Sequence, residues 1–324
     1  MSARARAAFY CVSDSAFFLG AVAMINSLRL QGHEEPVYVL DCGLTAQQRA
    51  LLATEVTLVD APSTQAPHLL KTVAPLAHPS DVMILIDADM VATRSLDPLI
   101  EQAAEGRLIA FANNEDRWVA QWGDLLDLGQ LERRPYACSG LVLLGGALGF
   151  EVLELLDDRQ RLVDYGRSFY GTNDLSYPFR FPEQDVLNAI IQARLDEQTA
   201  AILAHRLAPM PPFDRIERSG PDSLGWAFDD GTVPYVLHQF LRKPWLERMY
   251  HSPYSQLLSR CLLGSDLAIR VPPAWVPRRF RGGLAAGLER AAVNIWDLSR
   301  WYLVDLLPGR VAARRQSSAA REAE

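Results

Sequence analysis

Val82–Ile86 reads VMILI and is closed by Asp87. Five apolar residues without a polar position between them, three of them β-branched, suit a strand buried on both faces, and such strands lie in sheets covered by helices. Neighbouring segments agree. Ala7–Ser13 (AAFYCVS), Val37–Leu40, Val56–Val59 and Leu108–Ala112 are further short apolar runs. Between them Phe17, Ala21, Met24, Ile25 and Leu28 recur at three- and four-residue spacing and predict a helix after Ser15, while Thr45 is placed to cap a helix reaching Ala53. Alternation of this kind predicts an α/β fold with a parallel sheet flanked by helices. Further along, Gly140–Leu144 is a strand, Phe150–Tyr165 is helix-like, Gln184–Arg194 is a helix, and Tyr235–Leu237 is a last strand ending at His238.

With 324 residues the chain accommodates one large domain with an appendage or two modest domains. Its net charge of -7 argues against nucleic acid as a partner. The charge is uneven: from Arg270 onward ten arginines face five acids, so the tail carries +5 and residues 1–269 carry -12. Cys11, Cys42, Cys138 and Cys261 are scattered with no CxxC pair, which fits a reducing cytoplasm rather than a disulfide framework or a zinc knuckle. The apolar run after Arg4 and Arg6 is broken by Ser13 and Asp14, which is unlike a signal peptide, and no run of 18 apolar residues is present to span a membrane.

Ser13-Asp14-Ser15 follows the first strand where a dinucleotide oxidoreductase would carry GxGxxG. Open α/β sheets bind ligands beyond the carboxyl ends of their strands, and Asp14, Asp87 and Asp89 all fall there. Asp87 and Asp89, two residues apart, point to one side and suit a shared hard divalent cation such as Mg2+ or Mn2+; the plain alternative for Asp89 is a turn cap. His238 falls at the same topological edge and is a candidate third ligand. Arg242 and Lys243 beside it suit a diphosphate leaving group, or else a solvated basic turn.

The ordered set of these residues carries a resemblance. Cys11-Val12-Ser13-Asp14, Asn26-Ser27-Leu28, Lys71, Asp87-Ala88-Asp89, Ser139-Gly140, Glu183-Gln184-Asp185 with Leu187-Asn188, and His238 followed by Lys243-Pro244-Trp245 resemble glycosyltransferase family 8 over about residues 7–246. The resemblance implies a GT-A fold, a Rossmann-like mixed sheet flanked by helices, as a domain of residues 1–246. It also implies a retaining hexosyltransferase that uses a UDP-sugar donor, Mn2+ (or Mg2+), and a glycan or lipid-linked acceptor. Asp87, Asp89 and His238 would hold the metal. Ser13 and Asp14 would face the nucleoside, Lys71 the donor, and Lys243 a phosphate. Gln184, with Glu183 and Asp185, would line the sugar and acceptor side. The chain departs from the family pattern at three places: Cys138 stands where the family carries Asn, Glu183 where it carries Asp, and the stretch from His238 to Lys243 is one residue short and lacks a glycine.

Residues 247–324 form a basic, aromatic region. Leu284, Leu288, Ala291, Ile295, Leu298 and Tyr302 share one helical face, and Trp275, Trp296 and Trp301 interleave with arginines. This amphipathic appendage suits the anionic cytoplasmic face of a membrane, or equally a packed helix or a homodimer contact. Two rival readings stay open. Ile84–Val91 (ILIDADMV) also resembles the nucleophile motif of haloacid-dehalogenase-like phosphatases, and a degenerate transferase fold would serve as a peripheral-membrane scaffold.

Overall fold

The structure, a computed structural model, describes residues 6–62, 66–220, 224–250 and 252–305. The chain runs β1 (Ala7–Ser13), α1 (Phe18–Leu30), β2 (Val37–Asp41), α2 (Ala46–Leu52), β3 (Thr57–Asp60), α3 (Val73–Ala77) and β4 (Val82–Ile86). It continues with β5 (Met90–Ala92), α4 (Asp97–Ala104), β6 (Leu108–Ala112), α5 (Trp122–Leu125), β7 (Ala137–Gly145), α6 (Gly146–Arg159), α7 (Pro182–Arg194) and β8 (Ala200–Leu203). A small hairpin of β9 (Ile216–Arg218) and β10 (Trp226–Phe228), then β11 (Val236–His238), α8 (Pro253–Leu263) and α9 (Leu284–Asp305), complete it.

Seven strands form the central sheet in the order β3-β2-β1-β4-β7-β6-β8. β3, β2, β1 and β4 are parallel, as the alternation predicts, and β7 runs antiparallel to both β4 and β6, so the sheet is mixed, as the family resemblance implies. The segment between β6 and β7, residues 113–136, holds only the four-residue α5 and brings the chain back beside β6 instead of across the sheet face.

Both faces of the sheet are covered, and the period of two decides which side chain goes where. Phe9, Cys11, Ile84 and Ile86 enter one apolar cluster with α1 and α8, whereas Ala8, Tyr10, Met83 and Leu85 enter the other with α6 and α7. Thr45 caps α2 as expected: its hydroxyl accepts from the Gln48 amide, and the Gln48 side chain accepts from the Thr45 amide.

α1 is buried from Gly20 to Leu28 because it lies between the sheet and the C-terminal segment. Asn26, wholly buried, joins the two: its amide nitrogen donates to the carbonyls of Cys261 and Ile269, and its oxygen accepts from the Ile269 N–H, each at 2.8 Å. Tyr254, Leu258, Cys261, Ile269, Val276 and Phe280 belong to the same cluster as β1 and β4. The chain after residue 246 therefore contributes core as far as Phe280. α9 buries Ala286 and Val293 but leaves Leu284, Leu288, Ala291 and Ile295 exposed, so the apolar face read from the sequence is uncovered among the described residues. The side chains of Leu298, Trp301 and Tyr302, and the Ala/Arg/Ser tail after Gly309, lie outside the described residues. Among the described residues, no helix is long and apolar enough to cross a membrane.

Candidate functional site

β4 ends at Ile86 and the chain turns through Asp87–Asp89, pinned by the Asp87 N–H on the Gly140 carbonyl (2.8 Å) and the Met90 N–H on the Asp87 carbonyl (3.1 Å). β5 then pairs antiparallel with β11, with His238 opposite Met90, and the Gln239 N–H donates to the Asp89 carbonyl at 2.9 Å. This register is what brings His238 to the acids. One ligand atom from each of Asp87, Asp89 and His238 lies within 4.8 Å of the others.

Two glycines make the approach possible. A Cβ on Gly140 would lie 2.5 Å from Met90 Cε, 2.8 Å from His238 Cε1 and 3.2 Å from Asp87 Oδ2. One on Gly20 would lie 2.5 Å from the Ala88 carbonyl oxygen and 2.7 Å from the Trp245 ring. Trp245 in turn donates its Nε1–H to the Ala16 carbonyl at 2.8 Å, which docks the segment after His238 onto the start of α1.

Lysines stand on both acids. Lys71 Nζ is 2.6 Å from Asp87 Oδ1 and 3.5 Å from Glu183 Oε2, and Lys243 Nζ contacts Asp89 Oδ2. His238 Nε2 faces Asp89 Oδ1 at 3.3 Å, and its Nδ1 lies 3.7 Å from Cys138 Sγ. Burial alone would raise Asp89, but Lys243 and His238 outweigh it and hold the carboxyl well below the usual range. Burial would lower Lys71, yet Asp87 and Glu183 raise it. Glu183 is pushed up to about 7, by burial first, with Lys71 opposing and Asp87 adding.

These groups open into a cavity of about 640 Å3. Ser13, Asp14, Lys71, Asp87, Asp89, Glu183, Gln184, His238 and Lys243 all line it. Asp14 also serves in the local turn, where its Oδ1 accepts from the Ala16 and Phe17 amides at 2.9 Å each. Gln184 Oε1 accepts from the Ser139 N–H at 3.2 Å, and Glu183 Oε2 from the Ser139 hydroxyl at 2.7 Å.

Asp185 is not in this wall. A further 100° around α7 turns it inward, where it is wholly buried and accepts from Arg117 Nε (3.0 Å), the Tyr136 hydroxyl (2.6 Å) and the Phe181 N–H (2.9 Å). Arg242 pairs with Glu247 at 2.7 Å and is likewise outside the wall.

Sequence spacing did not reveal the aromatic end of the cavity. The His68 ring centroid lies 5.0 Å from that of Tyr165 and 4.4 Å from that of Tyr170, and the two tyrosine rings are nearly parallel at 6.0 Å. Burial, with Lys71 adding, pushes His68 down to about 4, so it is neutral at neutral pH. The only signal in the sequence was the density of aromatics between Tyr165 and Phe181.

A second acidic group with histidine, His33, Glu35 and Asp97, does not offer the same chemistry. His33 Nε2 accepts the Leu96 N–H at 2.9 Å, which uses the one lone pair of a neutral imidazole and leaves Nδ1 to donate to Glu35 at 3.1 Å.

No family model matches the chain, and no curated protein matches it. Among solved structures, an active-site mutant of LgtC is similar at 17% identity and a TM-score of 0.51, over 83% of this chain and 98% of that one. The WbbM bifunctional glycosyltransferase in its apo form is similar at 12% identity and a TM-score of 0.50, over 82% of this chain and 51% of that one. This is a GT-A fold. Within the GT-A sheet the cavity sits at the carboxyl ends of β1 and β4, where an open α/β sheet places its ligand.

The GT-A cavity suits a hard divalent cation on its own chemistry. Asp89 Oδ1 is buried without a hydrogen-bond partner, and two carboxylates with one imidazole form a donor set for Mn2+ or Mg2+. The shortened stretch after His238 keeps a glycine-like turn without the glycine. Leu241 adopts φ 68°, in the left-handed region, with its side chain 59% exposed at the cavity rim.

Proposed function

We propose that the protein is a retaining, metal-dependent hexosyltransferase that uses a UDP-sugar donor and a glycan or lipid-linked acceptor. The observation that carries the reading is the convergence of Asp87, Asp89 and His238 with two lysines in one cavity of a GT-A fold. Asp87, Asp89 and His238 would hold Mn2+ (or Mg2+), which when bound supplies positive charge to the departing diphosphate. Lys243 and Lys71 add charge-assisted hydrogen bonds to the same oxygens and to the donor. Ser13 and Asp14, at the end of β1, face the nucleoside. Gln184 and Glu183, held by Ser139, orient the transferred sugar, with the aromatic wall of His68, Tyr165 and Tyr170 beyond them to stack on a pyranose face. Asp185 positions this end by tying Tyr136, Arg117 and the Phe181 backbone together. Residues 1–246 supply every group that lines the cavity, and we assign them as the transferase unit; the basic, aromatic region 247–324 packs into its core as far as Phe280.

Titration calorimetry with UDP tests the reading. Affinity is expected to rise at least about tenfold when Mn2+ is added, in line with the 10–100-fold that even outer-shell groups contribute at metal sites. Absence of nucleotide binding would favour the scaffold, and release of phosphate from phosphomonoesters without nucleotide would favour the phosphatase.

We also propose that the exposed stripe of α9 docks on an anionic membrane at the cytoplasmic face. Leu284, Leu288 and Ile295 are uncovered, and Arg270, Arg278, Arg279 and Arg281, which carry most of the tail's +5, lie just before them. Because Val271, Val276 and Phe280 are core, the informative truncation is after Gly283. It should stop co-sedimentation with phosphatidylglycerol vesicles and leave UDP affinity intact. Retained vesicle binding, or a change from dimer to monomer as the only effect, refutes the membrane assignment.

A further inference from the structure

We infer that Lys71 and Lys243 act as built-in counter-cations: in the nucleotide-free protein each neutralises a carboxylate of the metal group, so a divalent cation binds well only when a nucleoside diphosphate draws the ammonium groups away. The inference rests on the reading of the cavity as a nucleotide-sugar site and assigns these lysines an effect opposite in sign to simple phosphate contact.

The geometry is explicit. Lys71 reaches Asp87 from the end of the Pro67–Leu70 turn, and Lys243 reaches Asp89 from the loop after β11. Each lysine is also anchored by a main-chain carbonyl, Lys71 on Ser139 at 3.3 Å and Lys243 on Gln239 at 2.6 Å. Their side chains are only 11% and 10% exposed, so water does little to screen them. Asp87 and Asp89 thus each carry an ammonium partner, and Lys71 also faces Glu183, before any metal arrives.

A divalent cation approaching this group meets two ammonium groups already seated on the carboxylates it would use. A diphosphate carries at least two negative charges, and its oxygens compete with Asp87 and Asp89 for those same ammonium groups. Once the lysines turn to phosphate, the carboxylates regain their full charge for the cation. Metal and nucleotide thus raise each other's affinity, and by linkage the two factors are equal.

The test is Mn2+ binding to the nucleotide-free protein, read from the electron paramagnetic resonance signal of the free aquo ion. Lys71→Met and Lys243→Met are each expected to bind Mn2+ alone about tenfold tighter than wild type or more, since one positive charge is removed from contact with a ligand carboxylate. Both variants should bind UDP in saturating Mn2+ more weakly than wild type. If the lysines served only as phosphate contacts, Mn2+ affinity without nucleotide would stay unchanged. Unchanged or weaker Mn2+ binding in a variant shown by circular dichroism to be folded overturns the inference, and either variant suffices if the other fails to fold. Equal Mn2+ affinity of the wild type with and without UDP overturns it as well. These results differ from failure of the functional reading itself, in which the wild type binds no UDP under any condition.

Discussion

Replacing Asp89 with Asn will remove the Mn2+ dependence of UDP binding and cut donor turnover by more than about 100-fold, beyond what loss of an outer-shell group alone costs a metal site. Asp89 is 6% exposed and is the only described carboxylate that meets both Lys243 and His238. The amide keeps the shape but not the charge, so the site loses an anionic ligand and two buried cationic partners lose their counter-ion. Breaking a buried pair on one side costs about 3–5 kcal/mol, so the variant should also unfold at lower urea. Asp87→Asn separates the effects: its side chain is 28% exposed, and it should lose metal dependence with a smaller change in urea midpoint. The acid limb of stability carries the same signature. Because the folded Asp89 carboxyl lies below its ordinary range, its stabilisation is complete above that range and is lost as pH falls through it, so Asp89→Asn should flatten the fall in stability on the acid side. Retained Mn2+ dependence in folded Asp89→Asn would remove it from the metal group.

Asn26→Ala should be the most destabilising substitution far from the cavity. The side chain makes three buried bonds to the C-terminal segment, and its loss leaves two carbonyls and one N–H without partners. At about 1–3 kcal/mol for each unsatisfied buried group, a loss of about 3–6 kcal/mol follows, allowing for relaxation. The loosening should be local before it is global. Cys261, wholly buried in α8, should become reactive to a thiol reagent at denaturant concentrations where wild-type Cys261 is still protected, while UDP affinity changes little. Protection of Cys261 equal to wild type would show that packing of Tyr254, Leu258 and Phe280, and not Asn26, holds the segment.

The sheet was readable where strands were bounded by strong punctuation. VMILI closed by Asp87, and the Tyr235–Leu237 run closed by His238, each stand within a residue of the observed strand ends. That Asp14, Asp87, Asp89 and His238 meet at one cavity was readable for the same reason, since a strand end both marks the sequence and opens on that edge of the sheet. The reversal of β7 was not, because direction depends on whether the preceding segment crosses the sheet, and the polar Trp-containing stretch before it gives no period to judge by. Glu183, Gln184 and Asp185 are adjacent in the sequence, yet a further 100° around α7 leaves the first two at the cavity and sends the third into the protein. Asn26 and Ser27 belonged to the ordered set of residues that resembles a transferase family, and the structure gives them work in the fold. Asn26 clamps the C-terminal segment, and the Ser27 hydroxyl oxygen accepts the Ala92 N–H at 2.9 Å, steadying β5 beneath the metal group. A resemblance carried by ordered residues thus mixes chemistry with scaffolding, and burial separates them.

The antiparallel pairing of β5 with β11 joins Met90 to His238, residues far apart along the chain. Growing from its amino end, the polypeptide presents Asp87 and Asp89 long before the imidazole and Lys243 exist to meet them. Two acids on a nascent chain are a poor trap for a cation. Competence to bind one together with a nucleotide would arise late, only after the strand ending in His238 has zipped onto β5.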